Sequence, residues 1–149
     1  MTISKFLDEK LIVFLEETSR DAAISRLIEV LDSAGKLLDK EKFHAAILDR
    51  EKIVSTGIGI GVAIPHAKLE GYNDFFIAVG IQKKKGLDWN ALDGADVRII
   101  FMIGGPDNKQ TEYLKILSQL TQSIRDEERR KKMLKANSTN QILDLFEGC

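Results

Sequence analysis

Cysteine is nearly missing from this chain: the single one, Cys149, is the last of 149 residues. That excludes an intrachain disulfide framework and a cysteine-based zinc site, and it points to a reducing, cytoplasmic setting. Long apolar runs are missing too. No stretch approaches the roughly 20 residues that cross a bilayer, and Met1-Thr2-Ile3-Ser4-Lys5-Phe6 carries no charged-then-apolar leader. Nor does one sign of charge dominate, since 22 Lys and Arg stand against 23 Asp and Glu, for a formal net charge of -1. That near-balance argues against nucleic acid or an anionic membrane as the main partner, and for a protein or a small molecule. Histidine is scarce, with two in all. His44, His66 and scattered carboxylates offer no metal-ligand spacing, so neither a metal nor another cofactor is expected.

What is present suits one layered domain over residues 1–149, large enough to bury roughly two-thirds of its unfolded surface without a covalent staple. Leu11-Ile12-Val13-Phe14-Leu15 reads as a buried strand. Ser19 can cap a helix to about Ala34, stopped by Gly35, with Ala22, Ala23, Leu27, Ile28, Val30 and Leu31 as its apolar stripe. A second helix is predicted from about Lys40 to Lys52, with Phe43, Ala46 and Ile47 inward and His44 and Arg50 off that face. Strands are expected at 61–65, 74–82 and 97–103, with a short one at 87–89; Gly104-Gly105-Pro106 should end the third abruptly. Thr111 is the expected cap of a helix carrying Leu114, Ile116, Leu117, Leu120 and Ile124, and two more helices should follow near 127–136 and 139–146. Strands alternating with helices predict an α/β fold: a mixed, largely parallel sheet with helices packed on it.

The richest segment runs from Arg50 to His66 through Ser55, Thr56 and the alternate glycines Gly57, Gly59 and Gly61. It is not a nucleotide loop. A dinucleotide fingerprint needs glycine where Val62 stands and a helix straight after it, and a mononucleotide loop needs Gly-Lys-Ser/Thr. Pro65 instead fixes its own φ and biases Ile64 toward extended geometry, presenting His66 at a strand end. An imidazole with an ordinary pKa near 6.5 is largely neutral at pH 7, so a ring nitrogen can attack phosphorus without a separate base. The adduct needs donors around it. Arg50 can supply a bidentate guanidinium, Ser55 and Thr56 hydroxyls, and Gly57 and Gly59 backbone amides. Lys83 to Lys85 and Arg129-Arg130-Lys131-Lys132 have no interleaved aromatics and read as solvated faces.

The string Arg-Glu-Lys-x-x-Ser-Thr-Gly-Ile-Gly-x-Gly-x-Ala-Ile-Pro-His resembles the active-site segment of the type-2 EIIA domains of the bacterial phosphoenolpyruvate-dependent phosphotransferase system, the fructose, mannitol and nitrogen-regulatory group. The likeness extends more weakly over nearly the whole chain, through Asp88-Trp89-Asn90-Ala91-Leu92-Asp93-Gly94 and Tyr113-Leu114-x-x-Leu117. It implies a mixed sheet flanked by helices on both faces. It also implies a phosphotransferase component in which His66 takes a phosphoryl group from phospho-HPr, Arg50 binds it, and no metal takes part. The group then passes to a sugar-specific EIIB or, as in nitrogen-regulatory members, sets which target protein is bound. Two positions depart from the pattern. Tyr113 stands where such domains usually carry a second active-site histidine, and Ile60 where they place Asn or Glu beside the phosphorylation site. Both bear on phosphohistidine lifetime or on the choice of partner.

Overall fold

A computed structural model describes residues 2–149. Its strands are β1 (Ile12–Leu15), β2 (Gly57–Gly59), β3 (Val62–Ala63), β4 (His66–Leu69), β5 (Phe76–Gln82) and β6 (Ile99–Pro106). Its helices are α1 (Arg20–Ser33), α2 (Lys40–Ile53), α3 (Gln110–Ile124), α4 (Glu127–Lys135) and α5 (Thr139–Leu145). The strands form one sheet in the order β1-β5-β6-β3-β2, with β4 pairing β6 beyond β3. Pairs β1–β5, β3–β6 and β4–β6 are parallel, while β5–β6 and β2–β3 are antiparallel. The sheet is mixed and mostly parallel, as expected.

Period-two alternation in β5 and β6 divides the interior into two cores. Ile77, Val79, Ile81, Ile99, Phe101 and Ile103 join Ile116, Leu120 and Ile124 of α3, Met133 of α4 and Ile142 of α5 on one face. Phe76, Ala78, Ile100 and Met102 join Ile24, Leu27, Ile28 and Leu31 of α1 and Phe43 and Ile47 of α2 on the other. Each fully buried Leu, Ile or Phe here contributes roughly 1.5–3 kcal/mol. Local chemistry sets the ends of α1: Ser19 Oγ accepts the Ala22 N–H at 3.1 Å, and Gly35 at φ 75 lets the Lys36 N–H reach the Leu31 carbonyl at 3.0 Å.

Several elements come out differently from the expectation. Residues 61–65 are not one strand: β3 stops at Ala63, and β4 begins at His66 against the same neighbour in unbroken register, with the Pro65 carbonyl between them accepting the Ile103 N–H at 2.9 Å. The glycine segment is itself a strand, β2. Leu87 makes only an isolated bridge with Val97. Finally, α3 starts at Gln110 with no side-chain cap, so Thr111 does not cap it. Strand β6 also runs on through Gly104-Gly105-Pro106. Those glycines extend it because a Cβ on Gly104 would lie 2.5 Å from Phe76 and 2.7 Å from Phe43, and one on Gly105 2.2 Å from Phe75.

Candidate phosphoryl-acceptor site

His66 is the first residue of β4, directly after Ile64-Pro65. His66 lies opposite Ile103 in the parallel ladder and so faces the α3 side of the sheet. It is half-buried, its ring 5.7 Å from that of Tyr113 on α3 and tilted by 44°. His66 Nδ1 lies 3.0 Å from the Ile64 carbonyl. A carbonyl can only accept, so Nδ1 carries the ring proton and, in the neutral ring, Nε2 holds the free lone pair. Burial, first of all, pushes the His66 pKa below its usual value, and the positive charges of Arg50 and Lys68 push the same way. The Ile64 hydrogen bond and the Glu51 charge oppose them.

Packing of α2 against β4 brings the last turn of that helix to His66. There the Arg50 guanidinium donates to the Val54 carbonyl at 2.7 Å, close enough for its charge to act on both His66 and Tyr113. Burial raises the Tyr113 phenol and Arg50 partly offsets it. The next residue, Glu51, points inward and is buried. Its carboxylate accepts the Thr56 N–H at 3.1 Å and the Thr56 hydroxyl proton. The Thr56 hydroxyl oxygen in turn accepts from Trp89 Nε1 at 3.2 Å. Ser55 donates to the Trp89 carbonyl at 2.5 Å and accepts the Gly57 N–H at 3.0 Å.

The expected phosphate ligands are therefore divided. The structure brings His66, Arg50 and Tyr113 together. Ser55, Thr56 and Gly57 serve the loop itself, with both hydroxyl protons and the Gly57 N–H already placed. Gly57 also sits where a Cβ would meet Ala91 at 2.9 Å, and Gly59 lies in β2 beneath the Asp93 carboxylate. Ile60 is not beside His66. It tips the β2–β3 hairpin with Gly61, both at positive φ (54 and 77), the mark of a mirror-image two-residue turn. Val62 pairs with Ile99 and His66 with Ile103, so about 13 Å of strand separates the histidine from Val62, the first residue past the tip. The Ile60 N–H is bound by Asp93 Oδ2 at 3.0 Å, and the Ala95 and Ile60 amides hold that carboxyl below its usual range.

Two residues escape the sequence reading, Glu51 and Lys68. The signal for Lys68 is strand alternation, which puts it on the same side of β4 as His66. For Glu51 it is only adjacency to Arg50. His66 lines none of three surface concavities: one of about 690 Å³ at Asn108 to Lys115, one of about 410 Å³ between Glu17 and Asp96, and one of about 280 Å³ at Gly71 to Phe76. The half-open setting of His66 suits a group delivered on a macromolecule better than a small substrate engulfed in a cleft.

A mixed sheet between two helical layers, with a half-buried histidine and an arginine brought together at the start of β4, is compatible with a phosphotransfer domain. Residues 5–149 match the family described as phosphoenolpyruvate-dependent sugar phosphotransferase system, EIIA 2, and the chain belongs to that family. It is 39% identical over 132 residues to the fructose-specific EIIABC component of Bacillus subtilis, covering 89% of this chain but only 21% of that protein. It is 32% identical over 137 residues to the fructose-specific EIIA component of Haloferax volcanii, covering 91% of this chain and 88% of that one. Among solved structures, nitrogen regulatory protein IIA-Ntr of Neisseria meningitidis superposes with a TM-score of 0.88 at 27% identity, covering 97% and 98% of the two chains.

Proposed function

We propose that this chain is a cytoplasmic EIIA phosphocarrier whose acceptor is His66 Nε2, loaded by phospho-HPr and discharged to a sugar-specific EIIB. The single observation that carries the reading is the hydrogen bond from Nδ1 to the Ile64 carbonyl, which leaves Nε2 as the nucleophile. In the step, the Nε2 lone pair attacks the phosphorus of the donor's phosphohistidine. The new N–P bond forms as the donor's N–P bond breaks, and the electron pair of the old bond returns to the donor imidazole. No proton leaves Nε2, because the ring proton already sits on Nδ1. Arg50 bears the phosphoryl charge. The Glu51–Thr56–Trp89 chain holds the Ser55–Gly57 loop in place, and the Thr56 carbonyl accepts the Ile64 N–H at 2.9 Å.

The family match and the fructose-specific relatives support the carrier reading. A second reading has its own support in the 0.88 superposition on a nitrogen regulatory protein: the phosphoryl state of His66 sets which target protein binds. The test is incubation with phosphoenolpyruvate, Enzyme I and HPr, then addition of a cognate EIIB. The carrier reading predicts that His66 is labelled, that His66→Ala is not, and that label moves rapidly to EIIB. Labelling without onward transfer, joined to phosphorylation-dependent capture of a regulatory target, favours the second reading. Full labelling of His66→Ala refutes both.

A further inference from the structure

Lys68 follows His66 by two positions in β4, so the two side chains share the face toward α3 while Ala67 turns into the opposite core. Its ammonium lies 4.2 Å from the centroid of the Tyr113 ring and donates to Gln110 Oε1 at 2.7 Å. The same tyrosine ring lies 5.7 Å from that of His66. The cation is thus held on the flank of the nucleophile by two neutral partners, an aromatic face and an amide. Among the described residues no carboxylate lies within ion-pair distance of it, although lysines elsewhere, such as Lys40, Lys52 and Lys131, have such partners. A cation without a counter-ion beside a histidine is unfavourable while the histidine is bare, and its field helps keep that ring neutral. It becomes favourable once a phosphoryl group of about two negative charges arrives. Together Arg50 and Lys68 would neutralise that charge.

We propose that Lys68 is a second phosphoryl-binding cation: seated on Tyr113 and Gln110 in the unloaded chain, its ammonium donates hydrogen bonds to the phosphoryl oxygens on His66. It makes no covalent bond. This assigns Tyr113 a role without base chemistry, as the aromatic seat that aims Lys68 and walls one side of the imidazole. The inference rests on His66 as the acceptor.

The test compares wild type, Lys68→Met, Lys68→Arg and His66→Ala in phosphoryl uptake from two donors, phospho-HPr and phosphoramidate, followed by 31P NMR, with thermal unfolding as the measure of folding. Lys68→Met should slow uptake from both donors by roughly 10- to 100-fold, the loss expected for one charge-assisted hydrogen bond, with no change in thermal midpoint. Lys68→Arg should recover most of the rate, which a purely structural lysine would have no reason to require. Uptake by Lys68→Met at the wild-type rate from both donors overturns the proposal. So does a defect with phospho-HPr alone, since that places Lys68 on the donor protein. Wild-type labelling of His66→Ala is a different failure, that of the acceptor assignment beneath it.

Discussion

The proton on His66 Nδ1 is held by the Ile64 carbonyl, while burial and the charges of Arg50 and Lys68 make a second proton on the ring more costly in the folded chain than in the unfolded one. The sign of the linkage follows. A folded-state pKa below the unfolded value near 6.5 gives stability that is present above about pH 6.5 and lost as pH falls toward the folded pKa. His66→Gln should therefore flatten this part of the decline below about pH 6.5, measured as the midpoint of urea unfolding against pH; an unchanged slope would show that the ring titrates normally in the folded state. Ile60 presents a different residue-scale problem, a β-branched side chain at φ 54 and 49% exposed. That conformation suits Asn and Gly and strains isoleucine. Ile60→Asn should raise stability by about 1 kcal/mol in chemical denaturation while leaving His66 labelling unchanged, because the hairpin tip lies far from the histidine.

At the scale of elements, β6 is the spine: it pairs with β5 on one side and with β3 and β4 on the other. Its glycines let Phe75 and Phe76 close over the strand. Gly104→Ala drives a methyl into the Phe76 and Phe43 rings and should cost about 1–3 kcal/mol, seen as a lower thermal midpoint; full stability would mean that the rings repack freely. The same strand shows where sequence reading stops. Apolar runs and caps made α1, β1, β5 and the start of β6 legible, because burial and capping are local properties of the residues. Glycines mark turns by default, so nothing local revealed that Gly104 and Gly105 are strand positions emptied for rings from β5, or that β2 exists at all. The site divided likewise. That Arg50 would lie near His66 was legible from residue type and spacing. The internal use of the Ser55 and Thr56 hydroxyls depends on Glu51 and Trp89, brought together only by folding, and the remoteness of Ile60 depends on the register of β3.

At the scale of the whole molecule, α1 and α2 cover one face of the sheet and α3, α4 and α5 the other. His66 stands at the first residue of β4, against Tyr113 of α3 and within the field of Arg50 from α2. The basic run on α4 does not form a free cationic face. Arg129 donates to the Leu145 carbonyl at 2.8 Å and the Ser123 carbonyl at 2.7 Å, and Arg130 to the Ile124 carbonyl at 2.5 Å, so these guanidiniums tie the C-terminal helices together. No helix among the described residues is long and apolar enough to cross a membrane. In the proposed function the chemistry falls on one imidazole nitrogen, Nε2 of His66. The measurement that tests this most directly is long-range 1H–15N NMR of the phosphorylated chain. A phosphoryl group on Nε2 of His66, with Nδ1 still protonated toward Ile64, is the predicted result. Phosphorylation at Nδ1, or at any other residue, would contradict it.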